Sequence, residues 1–171
     1  MEEAPVSRRP PAGPRFPFQD WPVQLITSLG HIWYTSPGVF VSQLVIERAS
    51  LEDAKKLTSV VDEVIRIKRD DFAAHGGLLI LHDWKLLKAY DTPARSHLFA
   101  HTRARKKGEV RGVVVSLTLT PLLRMAVEAG NALLTATTGR SVEIVPAISS
   151  ALGKHGVRRP SDNGALRGVS A

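Results

Sequence analysis

The chain has 171 residues, of which 43% are apolar, and a formal net charge of +7. This apolar content supports one compact core, and no apolar run reaches the roughly 18 residues that a membrane-spanning helix requires. The absence of cysteine excludes disulfides, thiolate metal sites and a cysteine nucleophile. We therefore expect a single cytoplasmic domain with neither a membrane span nor a signal peptide.

Composition divides the chain into three parts. Residues 1–20 are rich in proline and charge, a composition that does not bury a core, so we expect a disordered arm there. We place an α/β domain over residues 21–153 and a disordered basic tail over residues 154–171. Three aromatic side chains near the first boundary are expected to pack on the domain, with insertion into a partner as the alternative. They are Phe16, Phe18 and Trp21.

The domain is predicted to open with a hairpin and a helix. Residues 30–34 and 39–47 supply β-branched and aromatic bulk on either side of the turn-forming residues 35–38. Ser50 then stands three residues before Asp53, a spacing that is typical of a capping box at a helix start. Apolar residues follow at three- and four-residue steps, so the helix is expected to bury one face.

Strands and helices alternate through the rest of the domain. The predicted order is strand, helix, strand, helix, strand and helix, over residues 78–81, 92–107, 110–119, 120–139, 142–145 and 147–152. Thr92 and Thr120 are each followed by proline, which predicts a threonine N-cap at both helix starts. Because successive strands need crossovers, we expect a single α/β domain with a mostly parallel central sheet of about five strands, the N-terminal hairpin and helical cover.

This order of elements resembles the STAS domain superfamily, in its divergent STAS-like or anti-sigma-factor-antagonist-like branch. The resemblance covers roughly residues 30–155. Four segments carry it: Pro37-Gly38-Val39-Phe40-Val41, the helix from Ser50, the strand Leu78 to Leu81 running into Asp83, and Val113 to Val115 leading to Thr120-Pro121-Leu122-Leu123-Arg124.

The resemblance implies a non-enzymatic regulatory module that binds a protein partner, such as a kinase, a transporter or another regulator. In the phosphorylated branch of the family, a serine or threonine stands where the central strand meets the next helix. His82, Asp83 and Trp84 occupy that place here. No hydroxyl is present among them, so the chain departs from the family at the phosphoacceptor position. Thr92 lies further on and is interpreted as a helix cap.

The end of the central strand and the helix after it form the candidate partner surface. Asp83 and Trp84 end the strand, and Trp84 is expected either to bind the partner or to fill the space between sheet and helix. Asp91 and Arg95 are four residues apart and are expected to pair at the helix start. These residues are predicted to receive a protein partner, with a homodimer as one form of that interaction.

A basic block follows in the same region. Residues 84–124 carry nine lysines and arginines against two acidic residues, a local charge of +7. The densest part contains Arg103, Arg105, Lys106 and Lys107. These cations extend the predicted protein-binding surface, and nucleic acid or an anionic lipid is the alternative partner. They also suit a solvated helix end, because cations favour the negative end of the helix dipole.

The sequence predicts no catalytic residue, cofactor or metal. His82 and Asp83 are adjacent on an extended segment, so their side chains point to opposite faces and do not form a dyad. His97 and His101 have the spacing of metal ligands on a helix, but the sequence offers no third ligand with them. The pair Gly76-Gly77 precedes a strand, whereas a phosphate-binding loop follows one.

Overall fold

The computed structural model describes residues 23–26, 28–35, 38–117 and 121–157. The strands are β1 (Val23–Ile26), β2 (Gly30–Thr35), β3 (Val39–Leu44), β4 (Arg48–Ala49), β5 (Leu78–Trp84), β6 (Ala89–Tyr90), β7 (Val110–Leu117) and β8 (Val142–Val145). The helices are α1 (Leu51–Ile67), α2 (Arg69–Ala73), α3 (Thr92–Ala104), α4 (Pro121–Thr138) and α5 (Ile148–Lys154). The predictions for Phe16, Phe18, Trp21, Thr120 and residues 158–171 lie outside the described residues.

The central sheet has the strand order β1-β2-β3-β5-β7-β8. Strands β1, β2 and β3 pair antiparallel, and β3, β5, β7 and β8 pair parallel. The predicted α/β fold with an N-terminal hairpin and a mostly parallel sheet is therefore confirmed. The sheet has one more strand than predicted, because β1 extends the hairpin at the sheet edge. Strands β4 and β6 form a separate two-stranded ribbon.

Helices cover both faces of the sheet. Residues of α1 and α2, such as Leu57, Val61 and Phe72, pack with Ile80 and Trp84 on one face, and α3 and α4 add to the same layer. On the other face, α5 packs against β5, β7 and β8. Strand β5 is buried along its whole length as a result. None of the described helices is both long and apolar enough to cross a membrane.

The packed part of the chain extends beyond the predicted boundary at residue 153. Lys154 ends α5, and its ammonium lies 2.6 Å from a carboxylate oxygen of Glu143. His155 contacts the other oxygen of the same carboxylate at 3.1 Å. Val157 then packs against the apolar cluster beneath α5. The first four residues of the predicted tail therefore belong to the packed chain.

Helix α1 begins with the predicted capping box. The Ser50 hydroxyl accepts from the Asp53 backbone N–H at 3.3 Å, and the Asp53 carboxylate accepts from the Ser50 N–H at 2.9 Å. Both bonds satisfy backbone donors that have no partner inside the helix. The local sequence alone is sufficient to position this helix start.

Replacing Ser50 with alanine is expected to lower the free energy of unfolding by about 1 kcal/mol, because the cap bond to Asp53 is lost. Urea denaturation of the full chain measures the change. Ser59→Ala is the matched control, since Ser59 lies on the exposed side of the same helix and alanine favours helix interiors. Equal stabilities of the two variants would contradict the assigned cap.

The start of α3 corrects two predictions. The N-cap is Asp91, one residue before the predicted Thr92, and its carboxylate accepts from the Ala94 N–H at 2.6 Å. Asp91 thus caps the helix where an ion pair with Arg95 was predicted, while Arg95 lies 3.4 Å from the Thr92 hydroxyl. The helix also ends at Ala104, three residues before the predicted Lys107, because the chain turns there to enter β7.

Candidate binding groove and basic surface

The polar end of β5 is buried. His82, Asp83 and Trp84 expose only 9%, 8% and 9% of their surfaces. His82 and Trp84 face the layer of α1 to α4, and Asp83 faces the side of α5, so the predicted opposition of His82 and Asp83 is confirmed. The prediction that Asp83 and Trp84 form a partner surface needs correction, because both side chains are buried. Trp84 instead packs with Leu57 of α1 and with Leu87, in line with the alternative that it fills the space between sheet and helix.

Asp83 bonds to side chains of both neighbouring strands. The register places Gln43 of β3 and Ser116 of β7 beside it. The Gln43 amide donates to one carboxylate oxygen at 3.2 Å, and the Ser116 hydroxyl donates to the other at 3.3 Å. Asp83 therefore links three parallel strands at their carboxyl ends.

His82 makes the equivalent link on the opposite face. Its Nδ1 lies 2.7 Å from the hydroxyl of Ser42, which is fully buried in β3. Burial lowers the pKa of His82 to about 3, so the ring is neutral at pH 7. The ring also stacks on Trp84 with 4.8 Å between centroids. The indole N–H of Trp84 is buried and has no hydrogen-bond partner among the described residues.

Sequence reasoning missed Ser42 and Ser116 as partners of the strand end. A signal for them exists, because both serines end apolar runs, Val39-Phe40-Val41 and Val113-Val114-Val115, just as His82 ends its own run. Carboxyl ends of neighbouring parallel strands meet at one sheet edge. Which serine lies beside which polar residue depends on register and face, and these follow from the assembled sheet.

A groove runs between α3 and α4 above the sheet, and we call it the α3–α4 groove. It comprises two adjoining cavities of about 480 Å³ and 310 Å³. Both are lined by His82, Leu98, Thr102 and Leu134. The larger cavity is mainly apolar and lies toward the start of α3, and the smaller one lies toward its end. Four arginines line the groove, and no carboxylate does so among the described residues.

The end of α3 carries exposed cations. Arg103, Lys106 and Lys107 are exposed, and no described carboxylate lies within ion-pair distance of their charged groups. We call these three residues the basic surface. Arg105 differs, because its side chain is only 10% exposed and pairs with Asp62 of α1. The prediction that Arg105 is available to a partner needs correction for this reason.

His97 and His101 are held separately by α1. His97 lies 2.9 Å from the hydroxyl of Thr58, and His101 lies 3.0 Å from the carboxylate of Asp62. Partial burial raises the pKa of Asp62, but the hydrogen bond from His101 and the charge of Arg105 outweigh burial and hold this pKa below its usual value. No three potential ligands converge on a metal site within the described residues.

Comparison of the chain with protein-family models, curated proteins and solved structures found no match. Its function is therefore inferred from the buried end of β5, the α3–α4 groove and the basic surface.

Proposed function

We propose that this chain is a non-enzymatic regulatory module of the STAS-like kind, which binds an acidic protein partner through the basic surface. The observation that supports the proposal is the exposure of Arg103, Lys106 and Lys107, whose charged groups have no described carboxylate within ion-pair distance. Glu109 accepts from the backbone N–H of Lys106 and forms its ion pair with Arg69. Nearby Arg105 is paired within the domain, so the two kinds of cation are distinct. A cluster of exposed cations raises the rate of association with an acidic surface and orients the acidic partner as it approaches.

The arrangement around His82 favours binding over catalysis. A nucleophile needs a base beside it and access to the substrate. The hydroxyl of Ser42 has the His82 ring beside it, but Ser42 is fully buried in the sheet. Asp83 lies on the other face of β5 and does not orient that ring. These contacts instead cross-link the strands, which supports a structural role for both polar pairs.

A second candidate function is binding of nucleic acid or anionic lipid by the same surface. Arg111 and Arg140 favour it, because they add to the positive charge at this end of the domain and have no described carboxylate within ion-pair distance. A polyanion that contacts all of these cations releases counterions, so its affinity falls steeply with added salt.

The experiment replaces Arg103, Lys106 and Lys107 together with glutamine. We expect at least a tenfold loss in recovery of an acidic protein from nuclease-treated extract, measured by quantitative mass spectrometry. The matched control replaces Arg48, Lys55 and Lys85 with glutamine, which removes the same charges from exposed positions elsewhere. The control is expected to recover the partner like the parent chain.

Unchanged recovery by the triple variant would overturn the proposed surface. Direct titration with a single-stranded oligonucleotide and with phosphatidylglycerol vesicles separates the second candidate. Three results together would show that the partner is a polyanion and not an acidic protein. Either probe binds in a salt-sensitive way, the triple variant loses that binding, and no acidic protein is recovered.

A further inference from the structure

We propose that the α3–α4 groove binds a single fatty carboxylate, with the alkyl chain in the larger cavity and the carboxylate at the Arg140 end. The site is separate from the basic surface, and the proposal does not depend on the function proposed above. Three features of the groove support the assignment: its apolar floor, the positive charges of its lining and the open space beside Gly130.

The larger cavity has the size and lining of a site for an apolar chain. Its volume of about 480 Å³ lies within the range of small-molecule sites, roughly 300–1,000 Å³. Trp84 and Val115 form the floor, and Phe99 of α3 and Val127 of α4 contribute to the walls. From Arg95 of α3 to its C-cap residue Arg105, ten steps of the usual helical rise extend about 15 Å along the groove, which suits an extended alkyl chain.

The charge of the lining selects an anion. Arg105, Arg111 and Arg140 line the smaller cavity, and no aspartate or glutamate lines it among the described residues. Among the described residues, the Arg140 guanidinium reaches only the Thr102 carbonyl oxygen, at 3.5 Å. Arg111 is exposed as a whole, but desolvation of the part that lines the cavity lowers its pKa. A carboxylate at this end gains charge-assisted hydrogen bonds from the guanidinium groups.

The two ends of the groove together define the ligand class. Arg105 is already paired with Asp62, but an apolar molecule without charge leaves Arg111 and Arg140 without a described counter-ion. A small anion leaves the larger cavity unfilled. A fatty carboxylate fills the apolar larger cavity with its alkyl chain and places its negative charge beside the arginines of the smaller cavity. We favour a free fatty acid over a membrane lipid because the larger cavity, of about 480 Å³ between two helices, suits one alkyl chain rather than two.

Gly130 provides a direct test of occupancy. It lines the larger cavity from α4, and a Cβ placed on it meets no atom within 4 Å. Gly130→Leu therefore fills the groove, and it also replaces a poor helix former with a good one. Gly153→Leu is the matched control, because Gly153 is an exposed glycine of α5 with equally open space around it.

The experiment titrates dodecanoate into the full chain by isothermal calorimetry. We expect saturable binding at one site that weakens at least tenfold in Gly130→Leu and in Arg140→Gln but persists in Gly153→Leu. The fluorescence of Trp84, identified by comparison with Trp84→Phe, is expected to change with the same affinity. Acetate and uncharged dodecyl maltoside are expected to bind at least tenfold more weakly than dodecanoate.

Three results would overturn the proposal. They are the absence of saturable dodecanoate binding, equal binding by Gly130→Leu and the parent chain, and equal binding of dodecanoate and dodecyl maltoside. If dodecanoate does not bind while Gly130→Leu changes self-association, the groove takes a second copy of the chain and the assigned ligand is wrong. The variant with Arg103, Lys106 and Lys107 replaced by glutamine is expected to bind dodecanoate like the parent chain. A failure of the fatty-carboxylate site is therefore distinguishable from a failure of the basic surface.

Discussion

Lowering the pH from 7 to 5 is expected to reduce the free energy of unfolding by about 2 kcal/mol through His82 alone. Burial holds the pKa of this ring at about 3, below its ordinary value of 6.5. The unfolded chain therefore binds a proton that the folded chain does not. Stability from the neutral ring is fully present above pH 6.5 and is lost as the pH falls toward 3.

Urea denaturation at pH 7, 6 and 5 measures this dependence. His82→Gln is expected to flatten it, because glutamine does not titrate and retains a polar group near Ser42. His75→Gln removes an exposed histidine and is expected to keep the steep dependence of the parent chain. If His82→Gln loses stability between pH 7 and 5 as strongly as the parent chain does, the ring is not buried as a neutral group.

Replacing Gly38 with alanine is expected to reduce the free energy of unfolding by about 3 kcal/mol or more. Gly38 precedes β3 with a φ of 73°, a left-handed conformation that costs other residues about 1–2 kcal/mol. A Cβ at this position would also lie inside van der Waals contact of the Phe72 side chain, which is buried in α2. Such overpacking adds about 1–3 kcal/mol.

Gly108→Ala separates the two causes. Gly108 also has a left-handed backbone, with a φ of 86°, but a Cβ there meets no atom within 4 Å. This variant is expected to cost only about 1 kcal/mol, from conformational strain. Denaturant unfolding of both variants checks the difference. Equal losses would show that the contact with Phe72 does not constrain Gly38.

Local signals were enough to predict most elements of the fold. The capping box of Ser50 and Asp53 positions the start of α1 because both partners lie within one helical turn. The apolar run at the start of β5 also predicts a central strand from neighbouring residues alone, because a strand covered on both faces is apolar at consecutive positions. Local signals were less exact at α3, where Asp91 and Thr92 both offer a capping oxygen and the backbone conformation selects Asp91.

The candidate site was predicted less well than the fold. Asp83 was expected at the surface because strand ends in α/β proteins usually reach it, and Trp84 was expected either there or packed between sheet and helix. Both are buried, because Trp84 packs in an apolar cluster with Leu57 and Leu87 and Asp83 is held between Gln43 and Ser116 of the neighbouring strands. Arg105 was grouped with its neighbours by sequence alone, yet it pairs with Asp62 of α1, which lies 43 positions earlier.

The sequence by itself determined the alternation of strands and helices, the mostly parallel sheet and the position of the basic segment, because these depend on residues a few positions apart. Only the tertiary structure decided that Ser42 meets His82, that Ser116 meets Asp83, and that a groove lies between α3 and α4. Strand register and helix packing bring together residues 33 and 40 positions apart. No local pattern encodes such distances, because they follow from how the whole core packs.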